Sequence, residues 1–243
     1  VEMCNKFLEY LRNTSQAVHT NRKLHTNTIA SYWSAFLGTL HAAHRDRKIK
    51  ENPCPYLERV KTIPTDRVGL SAEELIQLAE TPCDVPILRT AFLFSCLTGL
   101  RKSDVKPFSW ELIQPEADGT LYITDRMQKT DQIVHNPIGE EALALIDDGI
   151  REGIVFRGFK DSMTQAPLKR WVKAAGITKH ITYHSSRHTF CSLQLHAGTD
   201  VNTVKELVGH KNISTTQQYL DSVDSRKKDA ANRITIKRKE EHP

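Results

Sequence analysis

The sequence predicts a mainly α-helical chain with one small antiparallel β-sheet, an α+β arrangement in two domains. Three observations predict it. Apolar residues recur at three- and four-residue steps over most of the 243 residues, the period of a helix with one buried face. Between about residues 110 and 138 that period gives way to short apolar runs separated by turn residues. Pro53, Pro55 and Pro64 fall close together, where missing N–H donors disfavour any regular element. Hydrophobic residues at 39% and charged residues at 26% suffice for a packed core and a wetted surface. No window reaches the roughly 18 uninterrupted apolar residues of a membrane span.

Along the chain, Phe7, Leu8, Tyr10 and Leu11, then Ile29, Tyr32, Trp33, Phe36, Leu37 and Leu40, mark two helices within residues 1–50. Thr26-Asn27-Thr28 offers the second an N-cap, since short hydroxyl and amide side chains accept from free N–H groups of a first turn. The prolines place a linker near residues 52–68, with a helical domain over 1–62, a connection at 63–69 and a second domain over 70–243. Ser71, with Glu74 three residues on, reads as a capping box. An apolar helix over about 85–99 stops at Gly99, and a short one over 101–107 stops at Pro107. Trp110 and Leu112, Leu121 and Ile123, then Ile133 to Ile138 make a three-strand meander. Helices follow over about 139–148, 164–175, 185–197, 200–208 and 212–220, with Gly176, Gly198 and Gly209 where C-caps need a left-handed residue. From Asp224 the chain is a highly charged tail.

The net charge is +5, and it is segregated. Residues 1–62 hold ten Lys and Arg against five acids, while the rest of the chain balances. A basic module joined to a neutral one suits nucleic-acid binding; a solvated helical face is the plainer alternative. The densest basic run holds Arg45, Arg47, Lys48 and Lys50. The five cysteines are scattered without a CxxC pair, so neither a disulfide scaffold nor a zinc ribbon is expected, and a reducing cytoplasmic compartment is the simplest reading. No basic stretch leads into an apolar core at the N-terminus, so no signal peptide is expected.

Three segments carry chemistry. In T-G-L-R-K-S-D, residues 98–104, Arg101 opens a helix whose free N–H groups favour an anion, and Asp104 one turn later is placed to orient the guanidinium. An ordinary surface Arg–Asp pair is the alternative. In H-S-S-R-H-T-F, residues 184–190, His184 and Arg187 share a helix face suited to a phosphate oxygen. His184 and His188 also have zinc-ligand spacing, but the Glu of HExxH is replaced by Ser185 and no third ligand is evident, so no metal is expected. His188 then reads as a structural residue of the helix. In V-G-H-K-N-I-S-T-T-Q-Q-Y, residues 208–219, Gly209 puts His210 in a turn, and Asn212 or Ser214 can cap the helix that carries Tyr219.

Taken in order, Arg101, Lys129, His184, Arg187, His210 and Tyr219 resemble the tyrosine recombinase family. The matching segments are TGLRKSD, QKTD, HSSRH and VGHKNISTTQQY, with Tyr219 nine residues after His210. Ser185-Ser186 replaces the usual Asp-Leu, and Val208 the usual Leu. The resemblance covers residues 70–222 well, and residues 1–62 look like the C-terminal part of the family's helical core-binding domain. The start at Val1 leaves open an upstream arm-binding domain. AFLFSCLTGLRKSDV is similar to segments of mobile-element integrases of Bacteroidetes.

The resemblance implies a site-specific DNA recombinase that cuts and rejoins strands through a 3′-phosphotyrosine, with no cofactor, metal or ATP. Tyr219 is the nucleophile, Arg101 and Arg187 clamp the non-bridging oxygens, His184 and His210 add hydrogen bonds or move protons, and Lys129 protonates the 5′ leaving oxygen. Lys106 and Lys160 compete with Lys129 for that last role. The implied partner is double-stranded DNA at core sites, bound by a homotetramer that is weakly associated or monomeric without DNA. The implied place is the bacterial cytoplasm, at the nucleoid. A type IB topoisomerase, a degenerate DNA-binding relative and an unrelated helical regulator are the other readings.

Overall fold

The computed structural model describes residues 1–13, 23–63, 67–126 and 133–219. The chain forms two compact units, residues 1–66 and 67–243.

In the first unit α1 (Glu2–Asn13) packs on α2 (Thr26–Arg45). Cys4, Leu8 and Leu11 of α1 meet Ile29 and Trp33 of α2, the inward stripes that the three- and four-residue spacing puts on one face of each helix. Phe7 and Phe36 join them, with ring centroids 4.9 Å apart. Tyr10 and Tyr32 belong to the same runs yet point outward, each more than half exposed.

The proline-bearing stretch after α2 folds back onto this pair. Leu57 is buried in the same cluster, the Trp33 indole N–H donates to Glu58 O at 2.8 Å, and Arg12 pairs with Glu58. Asn27 closes the arrangement by accepting from Ile63 N at 2.7 Å and donating to Ile63 O at 2.8 Å. Asn27 is therefore not free to cap. Instead α2 is capped by His25, whose Nδ1 accepts from the Asn27 backbone N–H. The capping residue thus lies just before the Thr-Asn-Thr cluster.

The second unit opens with α3 (Ala72–Glu80), where Ser71 and Glu74 make both hydrogen bonds of the capping box. Next come α4 (Pro86–Thr98), α5 (Lys102–Val105), β1 (Ile113–Pro115), β2 (Leu121–Arg126), β3 (Ile133–Pro137) and α6 (Glu140–Ile146). The series ends with α7 (Ala166–Ala174), α8 (Ser185–His196), α9 (Val201–Leu207) and α10 (Ser214–Gln217). The strands pair antiparallel in sequence order, Ile123 opposite Ile113 and Asn136. Trp110 and Leu112 do not begin the first strand. They curl into a 3₁₀ turn, because the Trp110 N–H is taken by Gly153 O at 3.0 Å.

The centre of this unit is α4, buried along most of its length. Leu88, Phe92 and Phe94 pack with Phe108, Phe156, Trp171 and Tyr183. At that size, removing one such ring from the core costs on the order of 3–5 kcal/mol. A smaller cluster of Phe190, Cys191, Leu195, Val204, Val208 and Tyr219 joins α8 to α9 and the end of the described chain. Among the described residues no helix is long and apolar enough to cross a membrane.

Candidate active site

The site is built where helix ends meet α8. Gly99 ends α4 in the left-handed region at φ +71°, which only glycine enters without strain. It also lets α8 come close, since a Cβ there would lie 2.6 Å from Phe190 Cδ1. Gly209 ends α9 with φ +59°. The carbonyls at these two helix ends serve the two arginines. Arg187, on α8 and only 2% exposed, donates to Gly99 O at 2.7 Å and also to Val208 O. Arg101, half-buried at the start of α5, donates to Gly209 O at 3.5 Å.

His210 follows Gly209 directly. It is 9% exposed, with Nδ1 2.8 Å from Thr216 Oγ1. His184 lies at the N-terminus of α8 and faces solvent, while Arg187 is buried beneath. Three residues apart, the two differ in exposure, His184 at the surface and Arg187 in the interior. Asp104 on α5 is 1% exposed, and its charge opposes the lowering that burial imposes on the Arg101 guanidinium.

Tyr219 is buried, 5% exposed. Its hydroxyl meets His188 Nδ1 in a short hydrogen bond and accepts from Arg67 Nη1 at 3.1 Å. Arg67 also donates to Thr215 O at 3.3 Å, and its guanidinium carbon stands 5.3 Å from the Tyr219 ring centroid, within cation–π range. Sequence reading did not single out Arg67. It lies 152 residues from Tyr219, in no motif, and only the fold brings it there. His188, expected to be structural, is in contact with the candidate nucleophile.

The site crowds cationic groups together in a buried setting. Burial first, and then Arg101, lowers the Arg187 guanidinium to about 10. Burial, then Arg187, Arg101, Arg67 and His184, push His210 down to about 3, so it is neutral near pH 7. His188 falls to about 4 by burial, then His184, Arg67 and Arg187. Burial raises the Tyr219 phenol to about 12. Crowded cations that depress one another are relieved by a bound phosphate, which accepts from several donors at once.

The remaining expected residues lie elsewhere. Lys129 is outside the described residues. Its competitor Lys106 is paired with Asp161 at 3.2 Å. Tyr183 is a core residue whose hydroxyl donates to Ala91 O at 2.8 Å. Arg45, Arg47, Lys48 and Lys50 belong to the first unit and are all exposed at the end of α2. Rings of His184 and His188 meet edge-on at 4.6 Å, and among the described residues no group of three His, Cys, Asp or Glu side chains could hold a metal ion.

This constellation has relatives. The profile of the Phage integrase family matches residues 70–226, and that of the Phage integrase SAM-like domain matches residues 1–62. The chain belongs to the phage integrase family. It is 29% identical over 164 residues to a tyrosine recombinase XerC of Xanthomonas campestris, covering 62% of this chain and 50% of that protein. With the XerC of Syntrophus aciditrophicus it shares 28% over 233 residues, covering 82% and 70%. The chain thus spans about half the length of the Xanthomonas relative. Among solved structures, a XerH site-specific recombinase bound to its difH substrate superposes with TM-score 0.69 at 18% identity, covering 95% of this chain and 72% of that one. A lambda integrase dimer on a core site superposes with TM-score 0.68 at 19% identity, covering 98% and 82%. These superpositions establish the fold: a helical unit followed by a mostly helical unit with a three-stranded sheet.

Proposed function

We propose that the chain is a site-specific DNA recombinase that cleaves and rejoins strands through a 3′-phosphotyrosine on Tyr219. The observation that carries this reading is the Arg187 guanidinium, fixed by the carbonyls of Gly99 and Val208 close to Arg101, His210 and Tyr219. A scissile phosphodiester gains charge on its non-bridging oxygens as a fifth oxygen approaches. Two guanidiniums already oriented by the protein stabilise that charge with little reorganisation. The phenol oxygen attacks phosphorus and the 5′ oxygen leaves as a hydroxyl, with Lys129 as its acid. The phosphotyrosine keeps the bond energy, so a second strand's 5′-hydroxyl can reverse the step. His184 and His210 hydrogen-bond the phosphoryl oxygens, and Asp104 orients Arg101.

The partner is double-stranded DNA, contacted also by Arg45, Arg47, Lys48 and Lys50. Paired sites are held by a homotetramer, and the protein works in a bacterial cytoplasm at the nucleoid, in the service of a mobile element. The domains are a core-binding unit over 1–62 and a catalytic unit over 70–243.

Covalent capture tests this. The chain is incubated in excess EDTA with a pool of randomised duplexes, each nicked so that the short 5′-hydroxyl fragment diffuses away. A protein–DNA adduct should accumulate on denaturing gels for the parent and not for Tyr219→Phe, and sequencing the trapped ends identifies the site. An adduct in the variant moves the nucleophile elsewhere, and activity lost to EDTA but restored by Mg²⁺ or Zn²⁺ replaces the arginine mechanism with a metal one.

A further inference from the structure

We propose that His188 is the base that takes the proton of Tyr219 as its oxygen attacks phosphorus, and that Arg67 sets the direction in which that proton points. The proposal rests on Tyr219 as nucleophile.

The argument is geometric. A guanidinium has only donors, so Arg67 Nη1, at 3.1 Å, occupies a lone pair of the phenol oxygen. The hydroxyl hydrogen is then directed away from Arg67; of the other two neighbours of the phenol, the Cys191 thiol and His188 Nδ1, the short contact is with the imidazole. The same guanidinium is tied to Thr215 O and stands over the phenol ring, so oxygen, ring and turn are held together. His188 must be neutral to accept, and its surroundings keep it so. His184 and Arg187 on its own helix, Arg67 from the segment before α3 and the Tyr219 phenol face it. None of these is a carboxylate, and the cations among them disfavour an imidazolium.

In the resting site the proton stays on the phenol, since burial raises the phenol and lowers the imidazole. An arriving phosphodiester brings negative charge beside the histidines and raises the basicity of His188. As the Tyr219 O–P bond forms, the O–H bond breaks and the proton passes to His188 Nδ1, giving an imidazolium. The P–O5′ bond breaks with its electron pair on the 5′ oxygen, which takes a proton from a separate acid. In rejoining, the imidazolium returns its proton to the phenol oxygen. No further reactant is needed.

The test uses the full chain and the duplex captured by the parent. His188→Asn keeps a hydrogen-bonding atom near the Nδ1 position and cannot take up a proton. It should bind DNA as the parent does and cleave roughly 10²–10⁴-fold more slowly, the usual worth of a positioned base. A duplex with sulfur in place of the bridging 5′ oxygen needs no proton to leave, so it should not restore the variant. Cleavage within a few-fold of the parent, faster cleavage, or restoration by the sulfur duplex overturns the assignment, making His188 a spectator, a clamp or the acid. Should His188→Asn fail to fold, the parent on the sulfur duplex decides. A rate that falls with acid below about pH 5 while circular dichroism shows the chain still folded supports a base, and a flat profile from pH 4 to 8 excludes it. If the parent captures no duplex, the recombinase reading fails and this one with it.

Discussion

At the scale of residues, the two buried tyrosines differ in what their hydroxyls touch. Tyr219 meets His188 and Arg67, groups that can move or orient a proton. Tyr183 donates to a main-chain carbonyl and lies 3.0 Å from Ser95 Oγ, and burial holds its phenol well above the ordinary range. Tyr183→Phe should therefore keep the covalent adduct and lose about 1 kcal/mol of stability in urea titration, the net worth of a buried hydrogen bond. The depressed histidines make a second test. His210 and His188 have folded pKa values near 3 and 4, below an unfolded value near 6.5. Their neutral forms favour the fold, so their contribution is full above about pH 6.5 and is lost as pH falls through about 4 for His188 and about 3 for His210. Melting temperature should fall through that window, and less steeply in His210→Gln; parallel curves would remove His210 from the account. Arg101, His184, Arg187, His210 and Tyr219 could be picked from the sequence because each sits in a local motif. Arg67 could not, because its role arises from proximity across the fold.

Among the elements, those whose ends carry side-chain or glycine signals were the most legible. Ser71 with Glu74 marked α3, and Gly99 marked the end of α4, where the expected 85–99 compares with Pro86–Thr98. The expected 185–197 compares with Ser185–His196. Where a long-range partner decides, local pattern failed. Trp110 and Leu112 alternate like a strand, yet Gly153 captures the Trp110 N–H and the strand starts at Ile113. α10 is only Ser214–Gln217, led by Ile213 without a side-chain cap; Asn212 and Ser214 do not supply one. Gly99 offers the sharpest test at this scale. Gly99→Ala meets both left-handed strain and a clash with Phe190 Cδ1 at 2.6 Å, and should cost at least about 2 kcal/mol. Gly119→Ala, at φ +84° with nothing within 4 Å of its new methyl, meets the strain alone. Since Gly99 O also holds Arg187, Gly99→Ala should slow cleavage while Gly119→Ala does not. Equal losses in both would mean that the close approach of α4 and α8 is unimportant.

For the whole molecule, the two units have separate cores, one built on Trp33 and Leu57 and the other on α4. The charge is divided as well, with the chain's surplus of +5 in residues 1–62. Composition made that asymmetry readable, but not that residues 54–63 pack on α1 and α2 through Leu57, Glu58 and Ile63. Residues 54–63 thus break the helical pattern yet belong to the packed first unit. A fragment 67–243 keeps the second core and should fold cooperatively in thermal denaturation. It should also retain slow cleavage of the captured duplex, because the proposed catalytic residues all lie within it. Its DNA affinity should be weaker and less sensitive to salt. For every phosphate that the protein no longer neutralises, the slope of log K against log salt flattens by about 0.9. Replacing Arg45, Arg47, Lys48 and Lys50 by Ala in the full chain should reproduce part of that flattening, since all four are exposed and long enough to reach a backbone. Binding titrations across a salt series on the parent, the fragment and the four-fold variant separate the two accounts of this charge. A fragment slope equal to the parent's would leave the basic end of α2 as a solvated face, with DNA held by the second unit alone.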